Sequence, residues 1–328
     1  MSDAQVDLLG ERMSPEDRKP FADAVTRAMS SLAGADLETA LVDIGWRDAL
    51  PDYPADAVAV VFEAQGRARA TTASLGAVLA DALGVGDAAV VVLPALGATA
   101  APGLLRDGVL DVRGLVLGGA PSSGDAVVVA ADGDGWQTVT VPSAALQVQP
   151  VQGIDRDLGI RRVEASALSP GTTPGAAPWD DAVAAGQRAL AHELVGLSRA
   201  MLDLAREHAL AREQFGRPIA TFQAVRHKLA ESLVAIEAAE AAAGAAWEAP
   251  GPLSASIAKA LAGQSARTVA KHAQQVLAGM GFTTEHAFHT YFRRVLVLDQ
   301  LLGSSRLLTE ELGRQLLASR KLPGMLPL

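Results

Sequence analysis

Apolar residues recur at helical spacing through the first part of this chain, in segments separated by Gly, Pro and acidic residues. The first set follows Ser14, a residue type that caps helices, and Pro15, which suits the first helical position. Its members are Phe21, Val25, Met29 and Leu32. Residues 37–46 and 57–83 continue the pattern, the latter as one Ala- and Val-rich stretch that suits a buried helix. Residues 1–88 are therefore expected to form an N-terminal helical domain.

At about residue 89 the helical spacing gives way to short β-branched runs. The runs are AAVVVLPAL, GVLDVRGLVLGG, DAVVVAADG, WQTVTVP and LQVQPV, and Gly and Asp separate them. This pattern is typical of strands joined by hairpins. No run alternates with a long helix, which argues against a doubly wound nucleotide-binding fold. Residues 89–168 are expected to form a reduced β domain with a small antiparallel sheet.

A linker and four long helical segments complete the chain. Residues 169–178, SPGTTPGAAP, are too rich in Pro and Gly for regular structure, so the linker is placed at 169–179. The first segment carries Leu190, Leu194, Leu197, Met201 and Leu204 at helical spacing. The four segments are expected at about 180–212, 221–249, 254–277 and 285–319, with Gly303 as a candidate break. Long helices with short turns predict a four-helix bundle over residues 180–328, in a mainly α protein with a small central β domain.

Composition and charge narrow the function classes. The formal net charge is -9, which argues against non-specific nucleic-acid binding. The absence of Cys excludes disulfides, thiolate metal sites and a thiol nucleophile. No stretch is long and apolar enough to span a bilayer, and the polar start does not resemble a signal peptide. The expectation is a soluble cytoplasmic protein without a membrane or nucleic-acid partner.

The stretch AREQFGRPIATFQ, residues 211–223, joins the first two bundle helices and combines several ligand-binding side chains. Arg212 could simply stabilise the end of its helix, with Gly216 terminating it and Pro218 blocking its continuation. However, Gln214 and Gln223 place amides on both sides of the turn, and two Phe residues offer stacking faces. A guanidinium suits phosphate. Together these residues could hold a diphosphate and a flat ring.

This turn resembles the Arg-x-x-Phe-Gly-x-x-Ile-x-x-Phe-Gln turn of the acyl-CoA dehydrogenase family. The later stretch QQVLAGMGF resembles the family's second signature, Gln-x-x-Gly-Gly-x-Gly-Phe, and LVDIGW resembles its N-terminal Leu-Gly-Trp element. The helical–β–bundle order is also similar. The resemblance is specific over residues 180–305, whereas the first two blocks look shortened.

The resemblance implies that this chain grips the ADP half of an FAD shared across a subunit interface. The residues carried over, called the clamp residues below, are Arg212, Gln214, Phe215, Ile219, Phe222, Gln223, Gln275 and Gly279. Ala278 departs from the family pattern, because it stands where the first Gly of the pair is expected. No metal is implied.

The catalytic base of the family has no equivalent in this sequence. The family places a Glu either after the second signature or on the first bundle helix, and Leu302 and Gly186 occupy these two positions. Neither residue can accept a proton. Glu193 and Glu285 could be relocated bases, but exposed helix carboxylates are the commoner explanation for both. The family's flavin-holding strands are not found either.

The resemblance therefore implies a partner subunit rather than a complete enzyme. Such a chain is similar to the smaller subunit of heterotetrameric acyl-CoA dehydrogenases of steroid-degrading actinobacteria, with α2β2 assembly and a second, catalytic chain. The substrate would be a steroid side-chain CoA thioester held by the partner. Two alternatives stay open: a stand-alone flavin acyl-CoA dehydrogenase with a relocated base, and a non-enzymatic scaffold or acyl-CoA-binding protein.

Two weaker features lie near the second signature. His286 and His289 could share a helix face, but two His without a third ligand make a poor metal site. Arg293 and Arg294 match a family position that serves subunit contacts.

Overall fold

The computed structural model describes residues 12–86, 90–118, 124–133, 135–169 and 175–320. Five helices precede the sheet. They are α1 (Pro15–Ser31), α2 (Gly34–Ile44), α3 (Trp46–Asp52), α4 (Pro54–Ala68) and α5 (Ser74–Leu83). The first begins as predicted, because the Ser14 hydroxyl accepts a hydrogen bond from the Asp17 amide and Pro15 is the first helical residue.

The Ala- and Val-rich stretch at 57–83 forms two helices rather than the single one predicted. α4 ends where Arg69 adopts a left-handed backbone conformation with φ of 53°. The Arg69 amide donates a hydrogen bond to the Gly66 carbonyl at 3.1 Å. The buried Thr72 hydroxyl then donates to Gln65 at 2.5 Å and accepts from the Ser74 amide at 3.1 Å. These hydrogen bonds fix the connection into α5, and apolar spacing carries no sign of them.

Among the described residues, eight strands form one mixed sheet, not the small antiparallel sheet expected. The strands are β1 (Val90–Val91), β2 (Gly103–Arg106), β3 (Val109–Val116), β4 (Asp125–Asp132), β5 (Gly135–Pro142), β6 (Gln147–Pro150), β7 (Arg161–Leu168) and β8 (Gly175–Ala176). Their order is β6-β7-β3-β2-β4-β5-β8, and β1 pairs with β4. β1 and β2 run parallel to β4, while the remaining pairs are antiparallel.

Three strands lie where none was predicted. β2 is short, and β7 (RRVEASAL) carries charges among its apolar residues. β8 lies within the linker at 169–178, whose residues 170–174 are outside the described part of the chain. Gly175 and Ala176 pair with β5, so the partner strand supplies order that local composition does not.

Within the described part of the chain, the bundle is built from five helices. They are α6 (Trp179–Ala211), α7 (Gln223–Glu248), α8 (Pro252–Leu277), α9 (Phe288–Leu298) and α10 (Ser305–Ser319). The fourth predicted segment is broken in two, and Gly303 lies in the break with φ of 94°. The predicted fold class, with helices, a central sheet and a C-terminal helical bundle, is confirmed. The exact limits of the predicted domains stay predictions.

The N-terminal helices and the bundle share one core, joined where α4 crosses α6. A Cβ on Gly66 would overlap the Glu193 carbonyl, and a Cβ on Gly196 would overlap the Glu63 carbonyl. The two backbones are therefore in direct contact at this crossing. Among the described residues, no helix is both long and apolar enough to cross a membrane.

Candidate functional site

The turn between α6 and α7 is a tight hairpin that projects from the end of the bundle. β9 (Glu213–Gln214) and β10 (Arg217–Pro218) pair antiparallel. Phe215 and Gly216 between them have φ of 54° and 77°, as in a type I′ turn. α6 ends at Ala211, and the Arg212 carbonyl accepts a hydrogen bond from the Ile219 amide at 2.8 Å, which closes the hairpin.

The aromatic clamp residues form a small stack on this hairpin. The rings of Phe215 and Phe222 meet edge to face, with centroids 6.1 Å apart. The Arg217 guanidinium lies over the Phe222 ring, 4.5 Å from its centroid. Ile219 and Phe222 are half-buried, whereas Phe215 is 91% exposed. An aromatic ring so exposed presents an apolar face that another molecule could cover.

The polar clamp residues leave hydrogen-bond donors free beside these rings. The exposed Arg212 guanidinium has no ion pair or hydrogen bond within the described residues. Gln214 donates to the Glu213 carbonyl at 2.8 Å. Gln223 is the first residue of α7, which no side chain caps, and the amides of Gln223 and Ala224 donate no hydrogen bond among the residues described. Such a helix end favours an anion.

The second group of clamp residues lies where α8 ends. Gln275 and Gly279 are both exposed, and a Cβ on Gly279 would meet nothing within 4 Å. Ala278 has φ of 48° and ψ of −127°, a backbone conformation that favours glycine. The departure noted in the sequence thus falls on a strained residue. Gly281, which sequence reasoning did not single out, is buried against Gln274 and Leu277 and has the stricter steric requirement.

The connectivity brings both groups to one end of the bundle. α6 and α8 end there, and α7, which is antiparallel to both, begins there. Phe282, 76% exposed, and Met280, 41% exposed, add apolar surface at this end. The sequence-predicted clamp residues therefore lie on the same exposed end of the molecule.

The two expected base positions contact each other. A Cβ built on Gly186 would overlap the Cδ1 atom of Leu302 and would lie 3.1 Å from the Cδ1 atom of Leu79. Leu302 is 2% exposed, so its side chain is buried between the helices. The three heavy atoms nearest to this Cβ are methyl carbons of Leu302, Leu79 and Leu75.

Buried polar groups fix the connection that carries Leu302. Gln187 donates to the Leu302 carbonyl at 3.0 Å. The fully buried Lys259 ammonium donates to the carbonyls of Asp299 and Gly303 at 3.1 and 3.3 Å. Burial lowers the pKa of Lys259 to about 8, although the nearby Asp299 carboxylate acts in the opposite direction. Leu302 itself has φ of 52°, and these contacts hold it in that conformation.

Glu193 contradicts the expectation of an exposed helix carboxylate. It is 2% exposed, on the face of α6 that meets α4, and its Oε1 atom has no hydrogen-bond partner among the described residues. Burial raises the pKa of Glu193 to about 7, opposed by the charge of Arg294 and by a hydrogen bond to Gln65. Glu285 is exposed, as expected.

Arg294 also differs from the prediction, because it serves an internal contact rather than a subunit contact. Its side chain is fully buried, pairs with Asp155 and donates to the Ala70 carbonyl at 2.9 Å and the Thr71 hydroxyl at 3.2 Å. Since α9 turns every 3.6 residues, neighbouring arginines point in different directions, and Arg293 is exposed. The sequence holds no local signal for the Asp155 partner, 139 residues away.

The nitrogen atoms of the His pair make local contacts. The His289 Nδ1 atom lies 2.7 Å from the His286 carbonyl, and the His286 ring accepts a hydrogen bond from the Phe288 amide. Within the described ranges, no group of three or more candidate ligands could hold a metal ion.

Comparison with known proteins agrees with this architecture. Residues 182–317 match the family model "Acyl-CoA dehydrogenase, C-terminal domain". The acyl-CoA dehydrogenase FadE34 of Mycobacterium tuberculosis is 35% identical over 206 residues, which are 58% of this chain but only 27% of that protein. The acyl-CoA dehydrogenase IpdE2 of Mycolicibacterium smegmatis is 31% identical over 258 residues, covering 76% of this chain and 75% of that one. The chain belongs to the acyl-CoA dehydrogenase family.

Two solved structures share the fold over almost the whole chain. The ChsE4-ChsE5 complex from Mycobacterium tuberculosis contains a chain with a TM-score of 0.78 at 19% identity, covering 95% of this chain and 99% of that chain. The Tcur3481-Tcur3483 steroid ACAD gives a TM-score of 0.75 at 22% identity, with coverages of 93% and 96%. At such low identity these likenesses show the fold alone.

Proposed function

We propose that this chain is a partner subunit of a heteromeric, FAD-dependent acyl-CoA dehydrogenase. It would supply the clamp for the ADP half of FAD to a catalytic chain, which would hold the flavin ring, the acyl-CoA and the base. When bound, FAD would accept the hydride that leaves the acyl β-carbon. The residues of this chain would bind and orient the cofactor and would move no proton.

The contact between Leu302 and Gly186 carries this proposal. A base for α-proton removal must reach the α-carbon, so few positions serve, and here both family positions lack a proton acceptor. The Leu302 side chain also occupies the space in front of Gly186. The hydrogen bonds from Gln187 and Lys259 hold the Leu302 backbone, which opposes any movement that would open a pocket.

The exposed end of the bundle fits the second half of the proposal. Arg212 and the uncapped start of α7 offer charge-assisted and backbone donors suited to a diphosphate. Phe215 offers an exposed ring for stacking or for a subunit contact. These groups are unsatisfied within the described residues, as expected for donors that complete their hydrogen bonds with a cofactor held by another chain.

The proposed assembly is an α2β2 heterotetramer with one FAD per heterodimer. Support comes from the structural neighbours, because the ChsE4-ChsE5 complex pairs two different chains and the Tcur3481-Tcur3483 protein is a steroid ACAD. The proposed substrate class, on the same basis, is a steroid side-chain CoA thioester held by the catalytic partner.

A stand-alone flavin acyl-CoA dehydrogenase with a relocated base is the second candidate. Glu193 favours it, because a buried carboxyl with a pKa of about 7 and an unpartnered oxygen is poised to exchange a proton. Against it, Glu193 lies seven residues beyond Gly186 on α6, about 10 Å along the helix axis from the family position.

Two expression experiments separate these candidates. The chain is expressed alone, and it is expressed together with each acyl-CoA dehydrogenase chain that is encoded next to it. Flavin absorbance and light-scattering mass are read after size exclusion. The partner-subunit proposal expects no flavin on the chain alone and a yellow complex with the partner. A yellow self-assembled oligomer that oxidises acyl-CoA by itself would overturn it and favour Glu193.

A further inference from the structure

A cleft of about 490 Å³ lies between the loop at residues 153–157 and the first turns of α9. Its walls include Arg156 and Asp157 from the loop, and His289, Thr290 and Arg293 from the helix. The cleft is formed by elements other than the clamp residues, and nothing in the proposed function uses it.

The charges in this cleft do not balance. Asp155 is paired with the buried Arg294, and Asp157 is paired with Arg69 at 2.7 Å, so both carboxylates are neutralised from outside the cleft. Arg156 and Arg293 are both exposed, and neither makes an ion pair or a side-chain hydrogen bond within the described ranges. Two guanidinium charges therefore remain uncompensated, in a protein whose net charge is -9.

The further donors beside these guanidiniums are backbone amides rather than side chains. The His289 Nδ1 atom donates to the His286 carbonyl at 2.7 Å, which leaves Nε2 as an acceptor. The Thr290 hydroxyl likewise donates its hydrogen to the Ala287 carbonyl at 2.7 Å. The amides of Ile154, Asp155 and Arg156 donate no hydrogen bond within the described part of the chain.

We propose that this cleft binds a ligand through a phosphate or diphosphate group, held between Arg156 and Arg293. A dianion matches two guanidiniums, whereas a carboxylate would compensate only one of them. The volume exceeds that needed for phosphate alone and lies in the range of small-molecule pockets, so the group can belong to a nucleotide.

Calorimetric titration of the full chain, alone or in its complex, tests the site with phosphate, pyrophosphate and ADP at low salt. Free FAD is removed beforehand, because its own diphosphate would compete for the cleft. The proposal expects one saturable pyrophosphate site per chain. The Arg156→Gln/Arg293→Gln double variant should bind at least about tenfold more weakly, because charge-assisted hydrogen bonds are lost.

The Arg106→Gln/Arg113→Gln double variant is the matched control. It removes the same charge from two exposed arginines of the sheet and should bind pyrophosphate as the wild type does. ADP binding more tightly than pyrophosphate identifies a nucleotide, and equal binding identifies the diphosphate alone as the recognised group. An equal loss of pyrophosphate affinity in both double variants, or pyrophosphate binding that does not saturate, would contradict the proposed site. The Arg212→Ala variant, which alters the clamp but not the cleft, should still bind pyrophosphate. This measurement therefore tests the cleft independently of the proposed clamp.

Discussion

The Cδ1 atom of Leu302 lies directly against the backbone of Gly186, so the two positions that could carry the family's base touch each other. Leu302 comes from the connection between α9 and α10, and Gly186 from the N-terminal half of α6. Their contact has two consequences. It joins the connection to the bundle core, and it leaves no room for a substrate between them.

Replacing Gly186 by Ala should destabilise the fold by about 1–3 kcal/mol, because the added methyl overlaps Leu302. Leu302→Ala should cost about 2–5 kcal/mol by leaving a cavity. The double variant should lose less than the sum of the two, because the methyl added at position 186 no longer meets Leu302 and instead fills part of the cavity. Urea unfolding measures all three.

Gly244→Ala is the control for this cycle, since it lies within α7 and a Cβ there meets nothing within 4 Å. It should stabilise the protein slightly through helix propensity. Strictly additive losses at Gly186 and Leu302 would contradict the contact.

Ala278→Gly should stabilise the protein by roughly 1 kcal/mol, because φ of 48° with ψ of −127° strains any residue with a Cβ. The neighbouring Gly279→Ala change meets open space and should change stability little. Thermal and urea unfolding compare the two variants. A loss of stability in Ala278→Gly would mean that the alanine is not strained in solution.

Glu193→Gln should remove a pH dependence of folding. Burial raises the pKa of Glu193 from 4.5 to about 7, so between these values the folded chain holds a proton that the unfolded chain has released. The free energy of unfolding of the wild type should therefore fall relative to that of the variant as pH rises from 4.5 to 7. Above pH 7 the difference between the two proteins should stay constant. Urea midpoints at pH 5 and pH 8 measure it.

Glu285→Gln, at an exposed carboxylate, is the control and should track the wild type at both pH values. If the difference between wild type and Glu193→Gln is the same at pH 5 and pH 8, Glu193 does not titrate in this window.

Arg212→Ala in the assembled complex should weaken FAD binding by about 1.5–3 kcal/mol, because one charge-assisted hydrogen bond to a diphosphate is lost. Arg206→Ala removes an exposed arginine near the end of α6 and should leave FAD affinity unchanged. Fluorescence titration of the deflavinated complex gives both affinities. Equal affinities in the two variants would remove Arg212 from the clamp.

Local signals in the sequence predicted much of the fold. Ser14 and Pro15 marked the start of α1, leucine spacing marked α6, and Gly303 marked the break between α9 and α10. What the sequence could not show depends on distant partners. Arg294 is neutralised by Asp155 across 139 residues, and β8 exists only because β5 pairs with it.

The candidate site also contains some features with local sequence signals and others that depend on distant residues. The turn at 211–223 was recognisable because its residues are contiguous and each has a distinct chemical type. Helical spacing alone predicts an exposed carboxylate at Glu193, because it does not reveal that α4 covers this residue at the Gly66 and Gly196 crossing. The contact of Leu302 with Gly186 required the fold, since more than a hundred residues separate them.

The ratio of FAD to protein chains in a complex of this chain with the proposed catalytic partner tests the central proposal most directly. Flavin absorbance after acid release, set against the mass from light scattering, gives that ratio. One FAD per pair of unlike chains is the expected result, with this chain contributing the clamp and no second flavin site. One FAD per chain would contradict it, because the space filled by Leu302 would then have to open and this chain would hold a flavin of its own.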